Sequence, residues 1–389
     1  MSKIVSLVYS SDFNELNYGQ LCKFRADYML PFGGRYRIID FALSNLANHD
    51  VNRVILFAGS KLRSTLDHVG NGKSWELNRR SGGLMINPVG LDGKKIRSEV
   101  ETYYDAIVYF LENDFDYVYI KNPMYIIKED ISDAVEKMSE EDLDCLILSN
   151  KTLDKDGEYL NQAIINSNEE GKPTDVGLNL GITDEVDLFL GSIVMKKEAF
   201  LKVLRNAMQD NSSSSMLAAI FAYPGNLNID FYRQDKEFEI IKDINSFYEV
   251  NMRLLNEGTF DKLFYDDGLV YTKSKDEPST SYTKDSKVRN SLIANGGIIE
   301  GEVENSIIFR GAKIGKGAII RNSIIFQDSV IGEGAILNFV ITDKGTEVGH
   351  DVRIFGNRNH PYVTGKNEKL EQRSEEWIYF FWQVSQYLL

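Results

Sequence analysis

The chain has 389 residues and a formal net charge of −14, with 43% hydrophobic and 11% aromatic residues. This length exceeds that of one ordinary core and predicts two domains, and the apolar content is typical of a soluble protein. Because an acidic chain without a basic stripe is repelled by phosphate backbones, we expect no nucleic-acid partner.

The two cysteines, Cys22 and Cys145, form no C-x-x-C pair and have no histidine at ligand spacing, which disfavours a disulfide scaffold or a zinc site. The apolar run at residues 4–9 is too short for a signal peptide. No stretch reaches the roughly 18 to 20 apolar residues that span a bilayer. We therefore expect a cytoplasmic protein with no membrane partner.

Short β-rich runs alternate with helix-like segments in the first two-thirds of the chain. Strands are predicted at residues 4–8, 54–57, 117–120 and 145–148, and helices at 103–112, 131–138 and 246–256. This alternation predicts an α/β domain over residues 1–257, with a Rossmann-like, mostly parallel mixed sheet. Ligands bind beyond the carboxyl ends of such strands, so the loops after Val8, Phe57 and Ile120 are the expected site. Residues 258–287 are polar, which indicates a connector between this domain and the next.

From Val288 onward, the sequence becomes a repeating pattern of aliphatic residues and glycines. Three similar segments begin at Ile314, Ile331 and Val348, each 17 residues after the last. That spacing is close to three hexads, and it predicts a left-handed parallel β-helix over residues 288–356. A β-sandwich with glycine turns is the alternative. Because an open coil cannot bury its own ends, we expect it to pack on another domain or subunit.

Residues 30–45 read Leu-Pro-Phe-Gly-Gly-Arg-Tyr-Arg-Ile-Ile-Asp-Phe-Ala-Leu-Ser-Asn. This run closely resembles ADP-glucose pyrophosphorylase (glucose-1-phosphate adenylyltransferase), as do residues 68–79, residues 251–252 and the hexads at 311–318. The resemblance extends from residue 3 to about 356 and implies a nucleotidyltransferase domain. It also implies the conversion of ATP and glucose 1-phosphate to ADP-glucose and pyrophosphate. Such chemistry needs a glycine-rich phosphate loop, carboxylates for Mg²⁺ and a cationic side chain.

This chain departs from that pattern at every matching position except Asp243. The family's glycine-rich loop is replaced by residues 9–16, Tyr-Ser-Ser-Asp-Phe-Asn-Glu-Leu. Asp27 stands where the family has a phosphate-facing lysine, and Asn122 where it has a metal-binding aspartate. Tyr103 and Tyr104 stand where small residues let the substrate approach. Only Asp243 matches, as the second metal-binding aspartate, so we expect no intact catalytic residue and no cofactor on this chain.

The degenerate pattern is similar to the D-type regulatory branch of the family, which accompanies a catalytic subunit. The resemblance implies a catalytically deficient regulatory subunit of glycogen biosynthesis, whose catalytic partner uses Mg²⁺ and ATP. A hetero-tetramer with that partner is expected, and also a homo-oligomer of the chain alone. An active sugar-phosphate nucleotidyltransferase with an atypical site, or a non-catalytic sugar-phosphate-binding scaffold, are the alternatives.

Two further features carry predictions. Arg35 and Arg37 match a region near the family's effector-phosphate site and are candidate anion ligands. Alternatively, they brace the core through carboxylates such as Asp40, and Phe24 weakens the effector interpretation because it replaces a lysine. Residues 357–389 form an atypical tail, whose aromatic end is too short and too polar to span a membrane. We expect that end to pack on a surface, unless it is an extension without function.

Overall fold

The structure is a computed structural model that describes residues 3–12, 14–79, 82–90, 97–211 and 213–371. The aromatic end of the predicted tail, residues 377–389, lies outside the described residues. Within the described part of the chain, no helix is long and apolar enough to cross a membrane.

One mixed sheet forms the centre of the N-terminal domain. The strands of this domain are β1 (Ile4–Val8), β2 (Pro31–Phe32), β3 (Tyr36–Arg37), β4 (Arg53–Ala58), β5 (Gly83–Pro88), β6 (Tyr117–Lys121), β7 (Tyr125–Ile127), β8 (Cys145–Leu153), β9 (Ala163–Ser167), β10 (Pro173–Leu178), β11 (Glu185–Lys196), β12 (Ile229–Arg233) and β13 (Phe238–Ile240). The sheet order is β10-β9-β11-β6-β1-β4-β5, and β8 pairs with both β11 and β12. Strands β6, β1, β4 and β5 are parallel, and β11 runs antiparallel to β6. The four predicted strands are confirmed.

Helices cover both faces of this sheet. They are α1 (Ile38–Asn48), α2 (Leu62–Val69), α3 (Glu99–Asp105), α4 (Ile107–Glu112), α5 (Ile131–Glu140), α6 (Lys197–Asp210), α7 (Met216–Ala222), α8 (Ile244–Arg253) and α9 (Glu257–Phe264). Because strand side chains alternate between faces, Val5 and Leu7 of β1 enter one apolar core and Val8 enters the other. The domain therefore buries its central strand on both sides, which explains why β1 is almost entirely apolar.

The C-terminal domain is a parallel β-helix with three sheets. Its strands are β14 (Ser281–Tyr282), β15 (Lys287–Arg289), β16 (Leu292–Ile293), β17 (Ile298–Ile299), β18 (Glu302–Glu304), β19 (Ile307–Ile308), β20 (Lys313–Ile314), β21 (Ile319–Arg321), β22 (Ile324–Ile325), β23 (Val330–Ile331), β24 (Ile336–Asn338), β25 (Val340–Thr342), β26 (Glu347–Val348), β27 (Arg353–Phe355), β28 (Tyr362–Val363) and β29 (Lys369–Leu370). Ile314 pairs with Ile331, and Ile331 pairs with Val348. The predicted 17-residue coil and the predicted fold class are confirmed.

Three sequence-based boundaries differ from the element bounds. The predicted helix at 103–112 is interrupted at Ala106, which separates α3 from α4. The boundary predicted at residue 257 falls within α9, because that helix starts with an Asn256 cap and only then enters the polar connector. The β-helix strands begin at Ser281 and end at Leu370, beyond the predicted range of 288–356. The outermost strands carry few aliphatic residues, so the hexad pattern does not reveal them.

Helix α8 joins the two domains. The rings of Phe247 and Phe326 meet edge to face with centroids 6.2 Å apart. The Tyr248 hydroxyl donates to the Asn322 carbonyl at 2.7 Å. Some residues of one β-helix sheet, such as Ile324, face out of the coil and belong to the same apolar core as the N-terminal domain, whereas the neighbouring Ile325 faces the coil interior. This shared core orients the β-helix against the sheet and creates a cleft between the domains.

Candidate functional site

A cavity of about 380 Å³ opens at the carboxyl ends of β1 and β6, the sheet edge that the sequence predicted as the site. Tyr9, Tyr125 and Phe189 give it aromatic walls. Among the described residues that line it, Glu99 is the only charged side chain, and none is Lys or Arg. A triphosphate would therefore find no cationic side chain among these residues to offset its charge.

Asn122 lies in this cavity at the end of β6, where the sequence placed it. Its backbone N–H donates to the Gly191 carbonyl at 2.8 Å, and its Oδ1 accepts from the Met124 N–H at 3.0 Å. The side chain thus closes a local turn. A neutral amide whose oxygen already accepts a backbone hydrogen bond is a poor replacement for a metal-binding carboxylate.

Asp27 is buried beneath the loop that follows β1. Its Oδ2 accepts from the Ser10 hydroxyl at 2.6 Å, and its Oδ1 accepts from the Tyr28 N–H at 2.7 Å. Burial is the main reason that the pKa of Asp27 is raised to about 6. At neutral pH this position therefore carries a buried negative charge.

Two more carboxylates accompany Asp27 in this loop region. Glu15 is buried and forms an ion pair with Lys61, and burial raises the pKa of Glu15 to about 7. The Asp12 carboxylate lies over Gly59, where a Cβ would come within 1.9 Å of Oδ1. The absent side chain of Gly59 thus makes room for an acid rather than for a phosphate.

Asp243 is the N-cap of α8. Its Oδ1 accepts from the Ser246 N–H at 2.7 Å and from the Ser246 hydroxyl at 2.8 Å. It lines a separate cavity of about 230 Å³ with Lys242 and Arg253, and it is not among the described residues around Asn122. The match to a metal-binding aspartate therefore coincides with a structural role in starting a helix.

These observations do not fit a Mg²⁺ site at the expected positions. Asn122 and Asp243 line different cavities, and each already accepts hydrogen bonds from its own neighbours. Across the described ranges, no group of three or more His, Cys, Asp or Glu side chains is arranged to hold a metal ion.

The prediction that Tyr103 and Tyr104 obstruct the substrate is wrong. Tyr103 is buried in the core, where its hydroxyl donates to Glu99 Oε1 at 2.9 Å and its ring packs 5.2 Å from that of Phe57. Tyr104 lies at the surface on the other side of α3. Neither ring is among the described residues that line the cavity, and Tyr103 instead packs behind its wall, with its ring centroid 6.0 Å from that of Tyr9.

A second cavity, of about 300 Å³, lies between the N-terminal domain and the β-helix; we call it the interdomain cavity. Its described lining carries eight Lys and Arg side chains and three carboxylates. The cations are Arg25, Arg35, Arg37, Lys273, Lys275, Arg310, Lys344 and Lys366, and the carboxylates are Asp67, Glu277 and Asp328. Excess positive charge in a concave site is the electrostatic arrangement that attracts anions.

Some of these cations are engaged within the protein. Arg25 Nη2 lies 2.7 Å from Asp343 Oδ1 in a buried ion pair that joins the two domains. Lys344 Nζ lies 3.3 Å from Asp328 Oδ2 at the surface. The Arg35 guanidinium, in contrast, lies over the Tyr36 ring and has no carboxylate partner among the described residues. Arg35 is therefore a cation available to a ligand.

Arg37 lines the interdomain cavity but also forms hydrogen bonds within the N-terminal domain. Its guanidinium donates to the Met29 carbonyl, and burial is the first reason that its pKa is lowered to about 10. Its backbone N–H, rather than its side chain, donates to Asp40 Oδ2 at 3.0 Å, while Asp40 Oδ1 lies 2.6 Å from His68 Nε2. The two predicted arginines thus share one cavity, although Arg37 also supports the chain around it.

Sequence reasoning missed most of the interdomain cavity. Arg310, Gln327 and Lys344 follow one another at the 17-residue coil period and stack at one corner of the β-helix, as the pairing of the neighbouring strands shows. Polar residues at that period were a usable signal. Lys273 and Lys275 carry no such signal, because the irregular connector brings them to the cavity.

The structure combines a Rossmann-like α/β domain, whose mixed sheet carries a cavity at the carboxyl ends of its strands, with a parallel β-helix of hexapeptide repeats. The family model described as "GlmU-like, C-terminal hexapeptide" matches residues 278–361. The chain is 33% identical to the glycogen biosynthesis protein GlgD of Bacillus subtilis (strain 168), over 87% of this chain and 88% of that relative. It is 31% identical to GlgD of Geobacillus stearothermophilus, over 75% of each chain.

A glucose-1-phosphate adenylyltransferase of Clostridium perfringens (strain 13 / Type A) is 29% identical over 78% of each chain. The chain belongs to the family of the glycogen biosynthesis protein GlgD and the glucose-1-phosphate adenylyltransferases. This membership associates it with glycogen biosynthesis.

Proposed function

We propose that the chain is a regulatory, catalytically deficient subunit of glucose-1-phosphate adenylyltransferase in glycogen biosynthesis. It raises the activity of a catalytic partner that makes ADP-glucose and pyrophosphate from ATP and glucose 1-phosphate, and that partner binds the ATP and Mg²⁺. The observation that carries the proposal is the combination of Asn122 with the buried carboxylates of Asp27 and Glu15 at the sheet edge.

Contact with the partner is the route of activation in this proposal. A subunit without chemistry changes its partner's rate only if it binds the partner's conformations with different free energies. A tenfold shift in the partner's apparent affinity needs about 1.4 kcal/mol of coupling free energy, and one subunit interface can supply that amount. We propose a cytoplasmic hetero-tetramer with the catalytic subunit and self-association of the chain when it is alone.

The interdomain cavity is the proposed effector site of this subunit. Arg35 has no carboxylate partner there among the residues that the structure describes, and the surrounding lysines and arginines suit a phosphate group. Because the lining comes from both domains, a bound anion would tighten their contact and so alter the surface offered to the partner. The same cavity also supports the scaffold alternative, in which a sugar phosphate binds without any effect on catalysis.

The test is an assay of ADP-glucose formation with the purified chain, alone and mixed with the catalytic subunit of the same organism. We expect almost no product from the chain alone and a higher rate from the mixture than from the catalytic subunit alone. A turnover of about 1 to 1,000 per second for the isolated chain would support the active-enzyme alternative. Anion binding without activation would support the scaffold.

A further inference from the structure

We infer that residues 153–162 and 178–185 form a docking surface for a different protein chain, whose complementary patch is apolar and rimmed by Lys and Arg. We call these two segments the paired loops. They lie at the outer end of the sheet, between β8 and β9 and between β10 and β11. The assignment of that chain as the catalytic subunit rests on the proposed function.

In the paired loops, large aliphatic side chains are exposed and polar side chains are buried. Ile182 is 84% exposed, Leu153 65%, Leu180 64% and Leu178 57%, whereas the polar side chains of Asp154 and Asn179 are only 7% and 1% exposed. A single exposed leucine is ordinary on a protein surface. Several large aliphatic side chains on two adjoining loops indicate a contact surface instead.

The buried polar side chains hold these loops in one arrangement. Asn179 Nδ2 donates to Asp154 Oδ2 at 2.7 Å and to the Tyr159 carbonyl at 3.2 Å. Asn179 Oδ1 accepts from the Gly181 N–H at 3.0 Å, and the Asn161 N–H donates to the Asn179 carbonyl at 2.8 Å. The polar groups of the two loops thus hydrogen-bond to each other, and the aliphatic side chains point outward and form a defined surface. Such preorganisation lowers the entropic cost of binding a partner.

Charge indicates what kind of partner fits. The paired loops contain five carboxylates and one lysine, Lys155. Two of the carboxylates are paired, Glu158 with Arg253 and Glu185 with Lys151. Asp156 and Asp184 remain on the rim.

Two identical patches facing each other would bring these acids together, so charge disfavours a symmetric contact between copies of this chain. A different chain with a basic rim satisfies both the apolar centre and the acidic edge.

The experiment measures the dissociation constant of the complex with the catalytic subunit of the same organism, for the unmodified chain and for Ile182→Asp. The expected result is at least a tenfold weaker complex, because a carboxylate would enter the apolar centre of the contact. Leu269→Asp is the matched control, since Leu269 is also exposed but lies outside the paired loops. It should change the constant less than twofold.

Rim charge is tested separately. Asp156→Lys should weaken the complex at low salt more than Asp285→Lys, an exposed carboxylate beside β15, and the difference should shrink at high salt. Leu180→Ser provides a second variant in case Ile182→Asp alters folding. Thermal melting of each variant should match that of the unmodified chain.

The outcomes separate the inference from the proposed function. If the unmodified chain binds the catalytic subunit and Ile182→Asp and Leu180→Ser bind equally well, the docking surface is wrong and the regulatory proposal stands. If these variants disrupt only self-association of the chain, the occupant is a second copy and the inference is overturned. If the unmodified chain does not bind the catalytic subunit, the proposed function and the partner assignment both fail.

Discussion

Asn122 offers a direct test at the scale of one residue. We expect Asn122→Asp to leave the isolated chain without measurable ADP-glucose synthesis. The new carboxylate would lack the second metal-binding acid that the family uses, because Asp243 lines a different cavity. Glu99 lines the same cavity as residue 122, but its carboxylate already accepts from the Tyr103 hydroxyl and the Met216 N–H. The measurement is product formation with Mg²⁺, ATP and glucose 1-phosphate, beside a catalytic relative as positive control. Robust turnover in this variant would show that one missing charge was the only defect.

Asp27 provides a prediction about stability and pH. Its pKa in the folded protein is about 6, against 3.8 in the unfolded chain, so the folded state holds the proton more tightly. Stability is therefore lost as the pH rises from about 4 through about 6. Asp27→Asn removes this penalty and should stabilise the fold by up to about 3 kcal/mol at pH 7.5, and by roughly half as much at pH 5.

Denaturant unfolding at the two pH values measures this effect. The amide introduced by Asp27→Asn would keep both hydrogen-bond partners, because it can donate to the Ser10 hydroxyl oxygen and accept from the Tyr28 N–H. Asp285→Asn is the control, since that carboxylate is exposed. Equal stability of Asp27→Asn and the unmodified chain at pH 7.5 would show that the buried carboxylate imposes no penalty.

Strand β23 supplies the prediction at the scale of an element. Ile331 is buried in the coil between Ile314 and Val348, whereas its neighbour Val330 faces outward. A carboxylate in this apolar stack lacks a partner and costs several kcal/mol. We expect Ile331→Asp, and likewise Ile314→Asp, to disrupt the coil and to abolish association and activation together. Val330→Asp should leave the coil intact, and circular dichroism with sedimentation of the mixed sample measures the difference.

Elements with a strong repeating pattern could be predicted from the sequence. Strand β1 and the coils at Ile314 and Ile331 follow directly from apolar runs and from one spacing. Helix α9 was missed because Gly258 and several polar residues interrupt its apolar face, which becomes apparent only when Phe264 packs against Tyr36. Tertiary contact, rather than local propensity, decides such a segment.

The interdomain cavity depends on the whole molecule, because residues of both domains line it. We expect inorganic phosphate to bind there, and Arg35→Ala to weaken that binding at least tenfold, because Arg35 has no carboxylate partner in the described part of the chain. Titration calorimetry at low salt measures the affinity, and Arg289→Ala, an exposed arginine on β15, is the control. Unchanged affinity in Arg35→Ala would exclude this arginine as an anion ligand.

The sequence could predict only part of the two cavities. It placed Asn122 at the sheet edge, since the ends of parallel strands share one side. It also singled out Arg35 and Arg37, through a matching motif. Most other cations of the interdomain cavity come from segments more than 200 residues later in the chain, and only the packing of α8 on the β-helix brings them near. Contacts of that range leave no local pattern, apart from the 17-residue spacing of Arg310, Gln327 and Lys344.

The stacked corner of Arg310, Gln327 and Lys344 makes the chain more sensitive to a change in its length than to a change in its chemistry. A substitution at one of these positions alters one side chain. Deleting one residue between Arg310 and Gln327 would move every later position one step along the coil, so that Lys344 would leave the corner and Ile331 would turn outward. Among related chains, insertions and deletions should therefore fall in the longer coil between β27 and β28, and the coils before it should keep their length.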